Sequence, residues 1–356
     1  MKIGIVFVGD IAFCPYVAKY KEMCEAKCVE YDIIFWNRSN DQTKYPDNYI
    51  SYNLQSDLKQ SKIKKAKDFL QYQIWLKRVI KKGKYDKLIL LSTLSGVIIA
   101  NILKEYKGKY IFDIRDYSYE HIKWFYAVEK KIIENSFFTC ISSPGFKSFL
   151  PEHNYLISHN IQSEFLKYKK GFSQKKYGET LNIVWNGMVR YFSYQSKILK
   201  RLKDDPRFMI YYFGWGPELD RFKQYTLENA ITNVVFAGKY DNSEKTKILR
   251  DADILNNAYW RSMPDRIIHA ISNRYYDGLV FGIPQIVEAG SYKSKICEKN
   301  RIGIPFADSD EFADNLYEWY FQLNPVDFDK SCEELLKNID IEMSMYEKRI
   351  SDFLDI

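Results

Sequence analysis

Short apolar runs recur along the chain and alternate with longer stretches of helical periodicity. Lys2–Val8, Tyr31–Trp36, Lys87–Leu91, Tyr110–Asp113 and Phe137–Ile141 are predominantly apolar rather than alternating, the pattern of parallel strands covered on both faces. Helical segments between them predict a doubly wound α/β domain. The polar stretch Tyr168-Lys-Lys-Gly-Phe-Ser-Gln-Lys-Lys-Tyr-Gly-Glu-Thr180 interrupts the series. A second series begins at Leu181-Asn-Ile-Val-Trp185 and continues through Phe208–Phe213, Val234–Phe236, Ile254–Asn256 and Gln285–Val287. The expected organisation is two Rossmann-like domains, 1–167 and 181–335, with a tail of mixed acids and bases, 336–356, that reads as helix. Ligands are expected at the carboxyl ends of the strands.

Composition changes this picture little. A chain of 356 residues exceeds the length at which one core keeps growing, and 46% hydrophobic with 28% charged residues is a globular balance. No stretch is apolar for long enough to span a bilayer, and Ile3–Val8 is too short for a signal sequence, so a cytoplasmic location is expected. The six cysteines and four histidines lack the short paired spacings of a zinc site, so no metal is expected. Cys24 and Cys28, four apart, are expected to pack together on one helical face.

The most informative segment is Ile271-Ser-Asn-Arg-Tyr-Tyr-Asp277-Gly-Leu-Val-Phe-Gly282-Ile-Pro284-Gln-Ile-Val287. Leu279, Val280 and Phe281 close a helix, Gly282 suits a left-handed C-terminal position, Pro284 forbids continuation, and Ile286-Val287 begins a strand. This segment resembles the donor-sugar motif in the C-terminal half of GT-B glycosyltransferases, family 4 and the bacterial capsule and lipopolysaccharide enzymes near it. In that family the acid before Leu-x-x-Gly-x-Pro accepts hydrogen bonds from the nucleotide ribose, and Asp277 matches it. The family pattern often has a second acid eight residues earlier, near the donor sugar and its phosphates. Here that position is His269.

Further elements follow the same order. Trp185-Asn-Gly187-Met-Val-Arg190 leaves the first strand of the second series, with Lys197 one helical stretch beyond. Glycine admits a pyrophosphate to the backbone, and a guanidinium and an ammonium neutralise it. The arrangement resembles the Gly, Arg and Lys elements of family 4, whose Arg and Lys hold the donor diphosphate; a surface cation explains Lys197 equally well. Tyr211-Tyr-Phe-Gly214-Trp-Gly216-Pro217 resembles the loop beside the nucleotide, and Phe236-Ala-Gly238-Lys239-Tyr240 resembles the segment around the base. Tyr240 or Lys239 is therefore expected near the base.

In the first domain, Gly9-Asp10 and Asp113-Ile-Arg115-Asp116 end strands. Asp10 or Asp116 suits an acceptor-hydroxyl base if the reaction inverts, whereas in a retaining reaction the leaving diphosphate can take that proton; Asp113-Ile-Arg-Asp reads equally as an internal salt-bridged turn. His121 resembles the histidine that touches the donor sugar. Ser142-Ser-Pro-Gly-Phe146 and His159-Asn160 resemble a hinge-side segment of capsule-type transferases, where a structural role for His159 and Asn160 is the expectation. The resemblance thus spans nearly the whole chain. It implies two domains facing across a cleft, a terminal helix crossing back to the first domain, a nucleotide-sugar donor (UDP or GDP) with no separate cofactor, and a glycan or polyprenyl-linked glycan acceptor.

Residues 59–84 form a basic, aromatic-bearing helical stretch in a chain of net charge +7. Such a helix suits the anionic inner face of a cell membrane or packs as an ordinary solvated helix. No nucleic-acid fold accompanies the charge, and no nucleic-acid partner is expected. The reading is a hexosyltransferase of surface-glycan synthesis, with a non-catalytic transferase-like subunit and a GT-B sugar-nucleotide epimerase as alternatives.

Overall fold

The structure, a computed structural model, describes residues 1–40, 42–56, 61–259 and 268–355. The chain divides into two compact units, residues 1–159 with 341–356, and residues 160–340.

The first unit holds seven parallel strands: β1 (Lys2–Phe7), β2 (Glu30–Asn37), β3 (Tyr49–Asn53), β4 (Lys87–Leu91), β5 (Tyr110–Ile114), β6 (Phe138–Ile141) and β7 (Leu156–Ile157). Their order is β3-β2-β1-β4-β5-β6-β7, so the winding reverses between β1 and β4. One face of this sheet is filled by Ile3, Ile5, Ile33, Phe35, Ile89, Leu91 and Ile111, and is closed by Tyr346, Ile350, Phe353 and Leu354 from the chain's last helix. That helix, Pro325–Asp355, starts in the second unit and ends in the first, as expected for a returning tail. Lys87 and Lys27 fasten its end by donating to the Phe353 carbonyl and the Asp355 carboxylate. His159, buried, meets Glu342 of the same helix at 2.6 Å, a structural tie within the first unit.

The second unit has six parallel strands: β8 (Leu181–Asn186), β9 (Phe208–Phe213), β10 (Val234–Gly238), β11 (Ile254–Asn257), β12 (Gln285–Glu288) and β13 (Gly303–Phe306). The order β10-β9-β8-β11-β12-β13 reverses between β8 and β11. The polar stretch 168–180 belongs to this unit: Phe172 packs on Phe328 at 4.8 Å and Tyr320 at 5.5 Å, and its amide donates to Asp329. Tyr177 adds ring contacts with Tyr317 and Phe321, so the stretch's polarity hides its aromatic anchors.

The Asn273–Phe281 helix ends as the sequence predicts. Gly282 is left-handed (φ 61°), and Ile283 donates to the Gly278 carbonyl at 2.9 Å. A Cβ on Gly282 would lie 2.6 Å from the Lys170 carbonyl oxygen, so both conformation and space require glycine there. Every residue from Arg274 to Phe281 is buried, which makes Asp277 and Arg274 charges inside a covered helix rather than on an exposed face.

The thiol expectation is corrected. Cys24 is buried, but the Val17–Ala26 helix ends before Cys28, which turns outward at φ 53° and is exposed.

Candidate functional site

In the second unit the polar groups gather at the carboxyl ends of β8 and β11, where the winding reverses and open α/β sheets bind ligands. The loops leaving β8, β9 and β10 are knitted together. Gly187 donates to the Phe213 carbonyl at 2.9 Å, Val189 to Trp215 at 3.0 Å, and Gly214 to Gly238 at 2.6 Å. Gly214 has φ 138°, and a Cβ there would stand 1.9 Å from the Gly187 carbonyl oxygen. Its glycine is thus demanded by the neighbouring loop, before any ligand is considered.

Arg274 forms the floor. Its guanidinium carbon lies 3.5 Å from the centre of the Trp185 ring, Nε donates to the Asn186 carbonyl at 2.8 Å, and Nη1 donates to the Tyr259 hydroxyl at 2.8 Å. Nη2 faces the backbone of Gly187, 3.5 Å from where a Cβ would sit. Burial lowers the pKa of Arg274, and the nearby positive charge of Arg190 adds to the effect. Arg190 itself is exposed, 4.7 Å over the ring of Tyr191. Two guanidinium groups therefore bear on one glycine-lined strand end, a charge density suited to a dianion.

Asp277 lies beside them with both oxygens engaged. Lys245 Nζ meets Oδ1 at 2.8 Å, and Asn186 Nδ2 donates to Oδ2 at 3.1 Å. Lys245, also buried, donates to Gln162 Oε1 at 2.7 Å and sits 4.6 Å over the Phe165 ring. Tyr240 is half-buried nearby; burial raises its pKa first, and the charge of Asp277 raises it further. Gly187, Arg190, Gly214, Tyr240 and Asp277 are thus brought to one end of the unit.

Of the two readings of Lys197, surface cation and diphosphate ligand, its contacts favour the first. It pairs with Asp308 at 3.2 Å in a half-exposed cluster that also holds Arg201, so the surface-cation reading describes it. His269 is half-exposed in a turn whose neighbour Ile268 accepts from the Tyr292 amide, near the carboxyl end of β12. There Glu288 and Lys293 form a buried pair at 3.1 Å, with Glu288 Oε2 also accepting from the Tyr259 amide and Lys293 lying 4.4 Å over the Tyr259 ring.

Arg274, Lys245 and the Glu288–Lys293 pair were missed in the sequence. The available signal was an arginine three residues before Asp277 in an otherwise apolar helix, where a charge needs a reason.

In the first unit, Asp10 Oδ1 accepts from the Ser39 amide at 2.9 Å and its hydroxyl at 3.1 Å. Gly9, Asp10, Phe13 and Arg38 line a cavity of about 480 Å³ at the ends of β1 and β2. Asp113 is internal: its carboxylate meets Arg115 at 2.7 Å and accepts from the Tyr20 hydroxyl at 2.9 Å, the salt-bridged turn. Asp116 is exposed just beyond it. His121 is exposed too, stacked on Tyr117, with the Tyr117 hydroxyl 3.1 Å from Nδ1. Among the described residues no three His, Cys, Asp or Glu side chains group as metal ligands, and no helix is long and apolar enough to cross a membrane.

No protein-family model and no curated protein matches the sequence. Solved structures match over nearly the whole chain. Sucrose-phosphate synthase from Thermosynechococcus elongatus is 13% identical, with 98% of this chain and 99% of that one covered and a TM-score of 0.67. Anabaena HepE in complex with UDP is 10% identical, with 99% and 100% covered and a TM-score of 0.67. The lipopolysaccharide outer core galactosyltransferase WaaB is 14% identical, with 97% and 100% covered and a TM-score of 0.61. UDP-GlcNAc 2-epimerase from Methanocaldococcus jannaschii also matches, at 11% identity, 96% and 100% covered and a TM-score of 0.57. At these identities the likeness is one of fold, and the fold is GT-B.

Proposed function

We propose that this protein is a glycosyltransferase that moves a sugar from a nucleotide-sugar donor to a hydroxyl of a surface-glycan acceptor. The observation that carries the reading is the pair Arg274 and Arg190 beside Gly187 at the winding reversal of the second unit, a place built to hold a diphosphate. Holding the leaving diphosphate stabilises charge that develops as the sugar bond breaks, usually the largest catalytic contribution. Asp277 sits where a ribose hydroxyl can share its carboxylate with Lys245 and Asn186, and Tyr240 is placed for the base. In this reading His269 takes the place of the sugar-side acid. In the first unit Asp10, whose carboxylate accepts from Ser39, or the exposed Asp116 serves as acceptor base in this reading, and the exposed His121 meets the donor sugar. The similarity to HepE, solved with UDP, supports UDP as donor nucleotide, with GDP the alternative. The likeness to WaaB supports a surface-glycan acceptor, for which a polyprenyl-linked glycan at the inner membrane face, met through residues 59–84, is part of the reading.

The epimerase match supports a second reading, conversion of a nucleotide sugar without an acceptor. The second unit contains one histidine, His269, a sparse set for acid and base steps on both faces of a sugar. Calorimetric titration with UDP, GDP, ADP and CMP tests the donor site. Selective binding of one nucleotide, weakened in Asp277→Asn and Arg274→Gln, supports it; no binding of any by the folded protein rejects it. Product analysis with a matched nucleotide sugar alone then separates epimerisation from transfer.

A further inference from the structure

The second unit's sheet is unevenly covered on the face that carries Val184. Val184, Ile248, Leu249, Leu255, Val280 and Phe281 pack into one core there. Over β9 and β10 that core stays open. Tyr211 and Phe213 are half-exposed, side by side on β9, with ring centres 6.1 Å apart and planes within 19°. They floor a groove of about 900 Å³ that runs from Tyr240, at the carboxyl end, to Asn182 and Asp253 at the opposite end of the strands. Most of it therefore lies away from Arg274 and Gly187.

Its rim is cationic. Lys175 and Asp253 neutralise each other at 2.8 Å. Lys170, Lys176, Lys239, Lys247 and Arg250 then face Glu179, Glu244 and Asp251, an excess of positive charge. Two of those acids are engaged locally: Glu179 accepts from the Lys176 amide, and Glu244 closes a capping box with Asp241. The cations come from three separate segments, 170–176, the loop after β10, and the Asn242–Arg250 helix, so they border the groove along its length instead of converging on one point.

We propose that this groove binds an acidic oligosaccharide, with sugar faces on Tyr211 and Phe213 and successive carboxylates meeting the lysine rim. Two nearly parallel, half-exposed rings one strand repeat apart give the groove floor apolar aromatic surface, which suits contact with the C–H faces of sugar rings. Spread cations suit a chain of repeated charges, whereas a single nucleotide asks for one ring and one focused phosphate site. The occupant is a chain held beside the donor site, independent of which nucleotide that site takes.

The test is calorimetric titration of the full chain with an oligogalacturonate hexamer, with maltohexaose as the neutral control, at low and moderate salt. Oligogalacturonate is expected to bind about tenfold or more tightly than maltohexaose, with an affinity that falls as salt rises. The rim double variant Lys170→Glu/Lys247→Glu, which leaves the core untouched, is expected to lose that affinity about tenfold while its thermal unfolding and its UDP and GDP titrations stay as in the parent. Phe213→Ser adds a check on the floor, read with the same unfolding control. No binding of oligogalacturonate, equal binding by the rim variant, or displacement of the oligosaccharide by UDP or GDP would overturn the proposal; the last would assign the groove to the donor.

Discussion

Arg274 lies flat against Trp185, 3.5 Å from ring centre to guanidinium carbon, and is pinned there by the Asn186 carbonyl and the Tyr259 hydroxyl. Stacking on one face and two donors used on the edge leave Nη2 directed at Gly187. A planar guanidinium can meet all three constraints at once, and a lysine cannot. Arg274→Lys is therefore expected to weaken the preferred nucleotide diphosphate by about tenfold to a hundredfold, on the scale of a charge-assisted hydrogen-bond pair. The nucleoside lacking phosphates should bind both proteins equally. Calorimetry with the two ligands checks this, and equal loss for both would point to collapse of the loop instead.

Asp277 and Lys245 make a different kind of relationship. Both are buried, and removing one leaves the other charged and without its partner. Breaking such a pair costs about 3 to 5 kcal/mol. Lys245→Met is expected to lower stability on that scale, and Asp277→Asn somewhat less because Asn186 and Lys245 still find an amide oxygen. The double variant Lys245→Met/Asp277→Asn should be more stable than the sum of the single losses, since no lone charge remains. Chemical denaturation of the four proteins measures the coupling, and strict additivity would contradict it.

These two arginine and aspartate roles mark where sequence reading stopped. Most of the parallel strands were legible because they are covered on both faces and so read as predominantly apolar runs; the Asp277 helix end was legible because Gly282 and Pro284 impose it locally. The half-buried edge strand Tyr49–Asn53 and the edge strand Gly303–Phe306, with Gly303 and Pro305, carry no such run and escaped notice. Partner identity escaped as well. Lys245 reaches Asp277, and Lys197 reaches Asp308, only because the sheet order and the helices over it bring distant segments together. Spacing along the chain offered Arg190 and, more loosely, Lys197 as cations, and only the three-dimensional packing reveals Arg274 beside Gly187.

A buried acid in the first unit gives a pH dependence. Glu129 is fully buried, with neither carboxyl oxygen satisfied by a well-formed hydrogen bond, and its pKa is pushed up to about 8 by burial first, then by the charge of Glu120; proximity to the Thr93 hydroxyl opposes this. In the unfolded chain the group ionises near 4.5, so between about pH 5 and 8 the folded state holds a proton that the unfolded state has lost. Stability should fall with rising pH across that window, by up to about 1.4 kcal/mol per pH unit from this group, and level off above 8. Glu129→Gln removes the dependence. The variant should unfold at nearly the parent's temperature at pH 5 and at a clearly higher one at pH 8.5, and a constant gap across pH would show that Glu129 does not titrate as its surroundings dictate.

The Lys62–Gly83 helix buries Tyr72, Leu76 and Ile80 and turns the opposite face outward. That outward face is not simply polar: Ile63 is 85% exposed, Leu70 55% and Ile74 43%, interleaved with exposed Lys64, Lys67, Arg78 and Lys81. Residues 59 and 60 of the basic stretch lie outside the described residues. The helix's one acid, Asp68, is buried, so the outward face carries cations without a compensating carboxylate of its own. An ordinary solvated helix places charge outward but has no reason to add three large aliphatics there; a helix lying on an anionic bilayer gains from both. Binding to vesicles of phosphatidylglycerol and phosphatidylethanolamine is therefore expected, with each cation near the surface contributing about 1 kcal/mol. Leu70→Glu/Ile74→Glu should abolish co-sedimentation, and Lys64→Gln/Lys67→Gln should weaken it and reduce its sensitivity to salt. Both variants change exposed positions, so an unaltered unfolding temperature is the control. Co-sedimentation that survives the aliphatic substitutions would place the membrane contact elsewhere, and equal binding to purely zwitterionic vesicles would remove the electrostatic half of the argument.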